Sequence, residues 1–342
     1  MAQPFHIQWH LTDACNLRCR HCYQDGYSPV KELSPKNLQT ILKNLKGFLN
    51  KQGRKLSVDL TGGEPFLFPS LWTLLDLIEP LPWVESVGII TNGTLLTPNT
   101  IARLSSYTKV KTLKLSCEGT SRQSYEENRG KNFLSFLKGI ESCRAFQGEK
   151  FFLFTLYQEN RNELPSLFSF TEKSGFNGFI VERFFPMGQG SVRGTHLLSQ
   201  EEWRETGAFL MESANIPTDL SLIASYRGFL LRKKREWNIF GAPCIIAKDG
   251  CAIMPEGNVF PCRRFPYSLG SLLSASMQTI WYHDLLRSLR RRKNLQGFCQ
   301  NCPVKECKGC RALAFCLTGN PFAEDPLCFL SPHKRSPDMI QF

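Results

Sequence analysis

Cys15, Cys19 and Cys22 lie close together near the start of the sequence and have the residue type and spacing of metal ligands. Three thiolates separated by three and then two residues can bind three corners of a cubane cluster, which has four irons. No fourth cysteine follows nearby, so one iron would stay open to another ligand. A zinc site would need four ligands, and His21 is adjacent to Cys22, where two side chains seldom converge on one ion. We therefore expect an open iron–sulfur cluster, with a zinc site or three inert buried cysteines as the alternatives.

A second group of cysteines lies in the last third of the chain. The sequence holds fourteen cysteines, and clustered cysteines in a reducing compartment are metal ligands more often than disulfides. Nine fall in this group, namely Cys244, Cys251, Cys262, Cys299, Cys302, Cys307, Cys310, Cys316 and Cys328. Eight ligands fill two cubane clusters, and the alternative is a pair of interleaved zinc sites. The isolated Cys117 and Cys143 are expected to be small buried residues.

The first cysteines directly follow a short apolar segment, and six such segments alternate with helical patterns over the first 190 residues. The predicted strands cover residues 5–11, 55–60, 84–91, 110–117, 150–157 and 178–185. Crossovers of this length favour parallel pairing, and a curled parallel sheet carries its active groups on loops after the strand C-terminal ends. The predicted fold class is α/β, a partial (β/α)6 TIM-like barrel followed by a loop-rich, Cys-rich module.

The strand–helix alternation weakens after about residue 190. Helical segments are predicted over 199–214 and 220–237, and the region beyond has too little apolar periodicity to form a core, so metal cross-links would supply its order. We predict a barrel domain over 1–195, a helical bridge over 196–240 and a cluster domain over 241–342.

The net charge of +12 is concentrated in two short basic runs, 232–235 and 287–293. Such runs are usually solvated helix faces, and the alternative is a site for an acidic partner such as a peptide leader or a phosphate group. Nucleic-acid binding is not expected. The longest apolar stretches have strand length, and the N-terminus lacks the features of a signal peptide. The sequence therefore predicts a cytoplasmic protein with no membrane-spanning segment.

The segment Cys-Asn-Leu-Arg-Cys-Arg-His-Cys-Tyr at residues 15–23 resembles the cluster motif of radical S-adenosylmethionine (SAM) enzymes. That family has a Gly-Gly-Glu-Pro turn after its second strand, and Gly62, Gly63, Glu64 and Pro65 stand in that place. The resemblance implies a three-quarter barrel in which the methionyl amine and carboxylate of SAM chelate the open iron. The two glycines would let backbone carbonyls approach the cofactor's ammonium group, and the glutamate would add an acceptor.

The same resemblance assigns further residues to the cofactor. Asn92 follows the third strand, and Ser116 and Glu118 follow the fourth, where the family's usual aspartate is replaced by glutamate. Arg129, within Asn-Arg-Gly, is expected to meet the cofactor carboxylate, with a surface salt bridge as the alternative. The pattern assigns no catalytic acid or base.

The C-terminal cysteines resemble the SPASM domain, which carries two auxiliary 4Fe–4S clusters in many radical enzymes. Its interleaved pattern implies one cluster on Cys244, Cys251, Cys262 and Cys310, and another on Cys299, Cys302, Cys307 and Cys328. Filled clusters indicate electron transfer or structure rather than substrate binding. The spacing of the middle group departs from the usual one, so Cys316 is an alternative ligand to Cys310.

Enzymes with this domain commonly modify ribosomally made peptides, so peptide maturation through a 5′-deoxyadenosyl radical is the first function implied. The runs 307–314 and 324–328 also resemble relatives that decarboxylate or trim tetrapyrrole propionates, as in heme biosynthesis, and this is the alternative. Arg263 and Arg264 suit a carboxylate-bearing substrate. They make sulfatase-type oxidation less favoured, because enzymes of that type have an acid directly after the third SPASM cysteine, the position that follows Cys262 here. A non-catalytic cluster-binding or sensing protein is the alternative of another class.

The implied electron donor is a reductant such as flavodoxin or ferredoxin, and the implied substrate partner is a peptide. Only a few residues precede the first predicted strand. We therefore expect any leader recognition to depend on another protein or on the basic runs.

Overall fold

The computed structural model describes residues 3–29, 32–192, 195–223 and 225–332. Short apolar segments form six strands before residue 190: β1 Phe5–His10, β2 Leu56–Thr61, β3 Val84–Thr91, β4 Val110–Ser116, β5 Glu149–Leu156 and β6 Gly178–Arg183. The later strands are β7 Tyr226–Lys233, β8 Trp237–Pro243, β9 Gly250–Ile253 and β10 Val259–Phe260. All ten strands belong to one sheet.

The six N-terminal strands lie in sequence order, and each pairs in parallel with the next. Strand β9 continues the sheet in parallel beside β1, and β10 is antiparallel to β9. The antiparallel strands β7 and β8 extend the opposite edge beside β6. The sheet is therefore open, and the predicted α/β fold with a partial parallel barrel is confirmed.

Helices connect the parallel strands and cover the outside of the sheet. The first eight are α1 Pro35–Gln52, α2 Leu71–Ile78, α3 Pro98–Ser105, α4 Arg122–Arg129, α5 Phe133–Cys143, α6 Leu164–Ser174, α7 Gln189–Val192 and α8 Gln200–Ser213. The last four are α9 Met277–Trp281, α10 Asp284–Arg290, α11 Phe298–Asn301 and α12 Arg311–Thr318. Among the described residues, no helix combines the length and the apolar character needed to cross a membrane.

Helix α1 illustrates how local sequence sets these elements. The Ser34 side chain accepts a hydrogen bond from the backbone N–H of Asn37 and caps the first turn. Leu38 and Leu45 are among the residues that bury one face of the helix against the sheet. Gly53 ends the helix in the left-handed conformation, with φ 61°.

The helix predicted over 220–237 is wrong, because most of this segment forms β7 and the turn into β8. In β7 the apolar Phe229 and Leu231 are buried at alternate positions, which is the period of a strand. The basic Arg232 and Lys233 form ion pairs with acidic side chains of neighbouring elements. The first basic run, 232–235, therefore begins at the end of β7 rather than on a helix face. The predicted helical bridge over 196–240 contains helix α8 and then most of the hairpin formed by β7 and β8. The predicted domain limits themselves stay a prediction.

The C-terminal region contributes to the hydrophobic core, contrary to the expectation that metal cross-links alone would order it. Leu272, Met277 and Ile280 are buried in the same core as the barrel strands. The ring of Trp281 packs edge-on against Phe5 of β1, with 4.9 Å between the ring centroids. These apolar residues lie in turns and in very short helices, so they show no periodicity along the sequence.

Candidate functional site

A cavity of about 750 Å3, partly open to solvent, lies at the C-terminal ends of the parallel strands. This is where the loops of a curled parallel sheet converge. Eight of the residues predicted for the first cluster and the cofactor line it: Cys19, Cys22, Gly62, Gly63, Asn92, Ser116, Glu118 and Arg129. Cys15 lies at its edge, with its Sγ 4.0 Å from the amide nitrogen of Asn92. The structure thus brings together residues that are more than a hundred positions apart.

The loop with the three cysteines is held by its own backbone and by helix α4, because the N–H of Arg20 donates to the carbonyl of Asn128 at 2.8 Å. The Sγ of Cys15 accepts from the N–H of Leu17 at 3.4 Å, and the N–H of Cys22 donates to the carbonyl of Cys19 at 3.3 Å. All three are free thiols. Burial raises the pKa of the Cys19 thiol to about 12, against the opposing effect of the Arg129 guanidinium. A buried thiolate therefore needs a strong positive partner, as an iron cluster provides.

Gly62 and Gly63 let the turn after β2 pack directly on the loop that leads to Cys15. A Cβ at Gly62, whose φ is 146°, would lie 2.4 Å from the carbonyl oxygen of Thr12, and one at Gly63 would lie 2.3 Å from that of Ala14. The N–H of Gly63 donates to Thr12 at 2.7 Å, and the N–H of Glu64 donates to Ala14 at 2.8 Å. The glycines are therefore required by the contact between two loops as well as by an open cavity wall.

Glu64 and Pro65 do not line the cavity, although both were predicted to contact the cofactor. Pro65 begins a short 3₁₀ turn. The buried carboxylate of Glu64 accepts hydrogen bonds from the hydroxyl of Thr91 at 2.7 Å, the N–H of Asn92 at 2.8 Å and the N–H of Phe66 at 3.3 Å. Burial raises its pKa to about 7. The Glu64 carboxylate joins the turn after β2 to the end of β3, so it stabilises the cavity wall from behind rather than contacting a bound cofactor.

Arg129 and Glu118 form a buried ion pair, which rules out the surface salt bridge considered for Arg129. Burial opposes ionisation of Glu118, but the neighbouring His21 and Arg129 lower its pKa overall. The N–H of Thr155 donates to the same carboxylate at 3.2 Å. The Nε of Arg129 is buried without a partner among the described residues. An unsatisfied buried donor on the cavity wall fits an anionic group bound there, such as a carboxylate.

A second cavity, of about 1130 Å3, adjoins the first inside the barrel. Cys244, Cys251, Cys262 and Cys310 all line it, which is the set that the resemblance implies for one auxiliary cluster. Cys316 lies elsewhere, and its thiol faces the carbonyl of Pro186 at 3.8 Å. The geometry therefore favours Cys310 over Cys316 as the fourth member of this set.

Three cysteines of the second predicted set, Cys299, Cys307 and Cys328, lie near one another. The Sγ of Cys299 accepts from the N–H of Asp325 at 3.4 Å, and the Sγ of Cys307 accepts from Arg227 at 2.5 Å. Cys328 lies near enough to Cys299 for their charges to interact. Cys302 is held through its backbone, because its carbonyl accepts a hydrogen bond from Arg292 at 3.3 Å.

Arg292 and Asp325 organise these cysteines, and sequence reasoning assigned no role to either. The Arg292 guanidinium donates to five backbone carbonyls of the loop that holds the cysteines, those of Cys299, Cys302, Val304, Lys305 and Cys307. The buried Asp325 accepts from Arg183 of β6, Arg227 of β7 and the N–H of Cys310. The one available signal was position, since Arg292 lies in the second basic run and Asp325 precedes Cys328 by three residues.

The described cysteines form no disulfide. Within the described ranges, no three His, Cys, Asp or Glu side chains are arranged around a single metal ion.

Comparison with known proteins identifies the class. The family described as Radical SAM superfamily matches residues 9–171, and the SPASM family, described as an iron–sulfur cluster-binding domain, matches residues 244–303. The chain is therefore a radical SAM enzyme with a SPASM domain, and its cofactor classes are iron–sulfur clusters and SAM.

Several relatives match nearly the whole chain. The AdoMet-dependent heme synthase of Methanosarcina barkeri is 26% identical over 354 residues, which cover 97% of this chain and 98% of that protein. The subtilosin biosynthesis protein AlbA of Bacillus subtilis is 24% identical and is covered over 73% of its length by 99% of this chain. The crystal structure of Streptococcus suis SuiB bound to precursor peptide SuiA has a TM-score of 0.73 at 17% identity, over 96% of this chain and 76% of that one. This last likeness confirms the fold.

Proposed function

We propose that this radical SAM enzyme abstracts a hydrogen atom from a carboxylate-bearing side chain, and that the side chain is a propionate of a tetrapyrrole. The observation that carries the proposal is the basic wall between the two cysteine-lined cavities, formed by Arg263 and Arg264. The end-to-end match with heme synthases supports the choice of substrate. This order differs from the sequence prediction, in which peptide maturation came first.

The residues of the first cavity would bind the cluster and SAM. Cys15, Cys19 and Cys22 supply three thiolates, and the unpartnered Nε of Arg129 supplies a donor for a carboxylate. When bound, a reduced cluster and SAM supply a 5′-deoxyadenosyl radical for hydrogen abstraction. Apart from Cys15, whose Sγ lies at the cavity edge, these residues line a cavity between buried strands, so the protein also limits the access of water to the reacting groups.

The two C-terminal cysteine sets would each hold a complete 4Fe–4S cluster. One set lines the second cavity and the other lies behind it, near Arg227 and Asp325. Since filled clusters have no open iron, we assign them to electron transfer, with flavodoxin or ferredoxin as the external reductant.

Peptide maturation remains the second candidate, because AlbA and SuiB are also similar to this chain over nearly its full length. Both candidates share the same cofactor chemistry. They differ in the molecule that reaches the basic wall between the two cavities.

Anaerobic reconstitution with iron, sulfide and dithionite tests the radical chemistry. Wild-type protein is expected to convert SAM to 5′-deoxyadenosine, and the Cys15→Ala/Cys19→Ala/Cys22→Ala variant to lose this activity. Cys143→Ala is the matched control, because Cys143 is buried and isolated from both groups. Wild-type protein that forms no 5′-deoxyadenosine, or a triple variant that forms as much, would contradict the proposal.

The choice of substrate is tested by mass spectrometry. A porphyrin with propionate side chains is expected to increase 5′-deoxyadenosine formation and to be recovered with a changed mass. If the porphyrin is unchanged, and a peptide encoded beside this gene changes mass on co-expression, the second candidate replaces the first.

A further inference from the structure

Arg263 and Arg264 lie on the wall that the two cavities share. They directly follow Cys262 in the sequence, and both side chains line both cavities. Their side chains are 7% and 14% exposed, so they are buried while still facing the interior space.

The two guanidinium groups share one acceptor. The Nη2 atoms of both arginines donate to the same oxygen, Oε2 of Glu182 at the end of β6. Within the described part of the chain, no other hydrogen-bond acceptor contacts either side chain. A guanidinium carries five N–H donors, so most of the donors of this pair face the cavity.

Aromatic rings hold the pair in place. Arg263 lies over the ring of Tyr23 at 5.5 Å, and Arg264 lies over the ring of Phe185 at 4.8 Å. Stacking on aromatic faces fixes the plane of a guanidinium. The open donors are therefore preorganised, as a site for a planar carboxylate requires.

The charges around this pair leave a positive excess. Besides Arg263 and Arg264, the facing strands contribute Lys114 of β4 and Asp59 of β2, whose side chains pair at 2.6 Å. With Glu182, the group has three cations and two anions. Two nearby histidines add no charge at neutral pH. Burial, together with Arg263 and Arg264, lowers the pKa of His10 to about 3. Burial also lowers the pKa of His6, against the opposing effect of Asp59.

An unpaired charge in a buried site is costly, so a surplus cation on a cavity wall indicates a missing anion. The neighbouring Asp325 pairs with both Arg183 and Arg227. The Nε atoms of these two arginines are buried without a partner among the described residues, so they add to the positive surplus around the second cavity. The sulfur ligands near Cys262 also carry negative charge when they bind a cluster, so the experiment has to separate these two counter-charges.

We infer that Arg263 and Arg264 form the binding site for the substrate's carboxylate, and that Glu182 occupies part of this site until the substrate binds. The inference rests on the proposed function and names the residues that select a propionate. Glu182 then competes with the substrate for the same two guanidiniums. Removing the arginines should weaken carboxylate binding, whereas removing the charge of Glu182 should strengthen it.

The test uses the reconstituted enzyme and two porphyrins, protoporphyrin IX, whose propionates are charged, and its dimethyl ester, whose propionates are neutral. Wild-type enzyme is expected to bind the acid more tightly than the ester in an absorbance titration. Because a hydrogen bond to a charged group is lost, Arg264→Gln is expected to weaken binding of the acid by about tenfold or more and to leave binding of the ester unchanged. Arg264→Lys keeps the positive charge but cannot bind a carboxylate through two parallel N–H groups, so it should give an intermediate loss of affinity for the acid. Glu182→Gln should bind the acid several-fold more tightly, because the variant has no carboxylate that competes with the porphyrin for the two guanidiniums.

Two controls separate this inference from its alternatives. Arg144→Gln changes an exposed arginine and is expected to bind both porphyrins as the wild type does. Iron content is measured for every variant, and loss of iron from Arg264→Gln would assign the arginines to the auxiliary cluster and overturn the inference. Equal binding of acid and ester by the wild-type enzyme would overturn it as well. So would an Arg264→Gln variant that binds the acid no more weakly than the wild type, or a Glu182→Gln variant that binds it no more tightly. The proposed radical chemistry is judged separately, by 5′-deoxyadenosine formation in the wild-type enzyme.

Discussion

Cys310 and Cys316 are six residues apart, but only one of them faces the other cysteines. Cys310 precedes the first residue of α12 and lines the second cavity with Cys244, Cys251 and Cys262. Cys316 lies within α12 and is directed toward the carbonyl of Pro186. Because a complete cubane needs four ligands, we predict that Cys310→Ala loses about four irons per chain, from about twelve, while Cys316→Ala keeps them all.

Iron and labile sulfide are measured after anaerobic reconstitution, with the folded state of each variant checked by circular dichroism. Cys316→Ala serves as the matched control, since it removes a thiol from helix α12, which directly follows Cys310. Equal iron loss in both variants, or loss from Cys316→Ala alone, would contradict the assignment of Cys310. A wild-type content of about four irons would contradict both auxiliary clusters.

The site residues that could be predicted from sequence are those whose type and spacing carry the chemistry. Cys15, Cys19 and Cys22 fall into this class, as do the glycines after β2. Arg292 and Asp325 could not be predicted, because their partners are set by the approach of distant segments. Asp325, for instance, meets Arg183 across 142 positions of the chain. Glu64 was predicted at the right place in the fold, but its buried hydrogen bonds direct it away from the cavity.

At the scale of elements, the turn after β2 and the loop after β1 fit together through a glycine contact. A methyl group at Gly63 would lie 2.3 Å from the carbonyl oxygen of Ala14, next to Cys15. Backbone has to move to relieve such a contact, at a cost of about 1 to 3 kcal/mol. We predict that Gly63→Ala lowers the free energy of unfolding by this amount. It should also reduce binding of the first cluster, since the displaced loop holds a ligand.

Gly47→Ala in helix α1 is the matched control. A Cβ at Gly47 has no neighbour within 4 Å, and alanine in a helix interior is favoured over glycine by about 0.5 to 1 kcal/mol. This variant should therefore be slightly more stable than the wild type and keep its iron. The two variants are compared by urea denaturation and iron analysis. Equal stability of Gly63→Ala and Gly47→Ala would show that the two loops are not in tight contact.

The strands of the barrel were predictable because each is a short apolar run bounded by turn residues or by the cap of the next helix. The hairpin of β7 and β8 was not, since β7 ends in a basic run, and such a run is typical of a solvated helix face. Arg232 and Lys233 are stabilised there by Glu149 and Glu172, which come from β5 and α6. Contacts of this kind come from the tertiary structure and leave no local signal in the sequence.

At the scale of the whole molecule, the barrel and the C-terminal region share a sheet and a buried charge cluster. Strand β9 pairs with β1, and Asp325 accepts from Arg183 of β6 and Arg227 of β7. Removing one partner from a buried ion pair leaves an uncompensated charge and costs about 3 to 5 kcal/mol. We predict that Asp325→Asn destabilises the protein by an amount in this range. The clusters bound by the C-terminal cysteines should be lost with it.

The control for this prediction is Asp284→Asn, because Asp284 is 95% exposed and lies 3.8 Å from Arg287. An exposed pair of this kind contributes about 0 to 1 kcal/mol, so the control should unfold as the wild type does. Thermal unfolding is followed by circular dichroism, and cluster absorbance is recorded in the same scan. If barrel and C-terminal region depend on each other through Asp325, both signals shift together to lower temperature in Asp325→Asn. A variant in which cluster absorbance is lost while the barrel melts at the wild-type temperature would show that the two parts are stabilised independently.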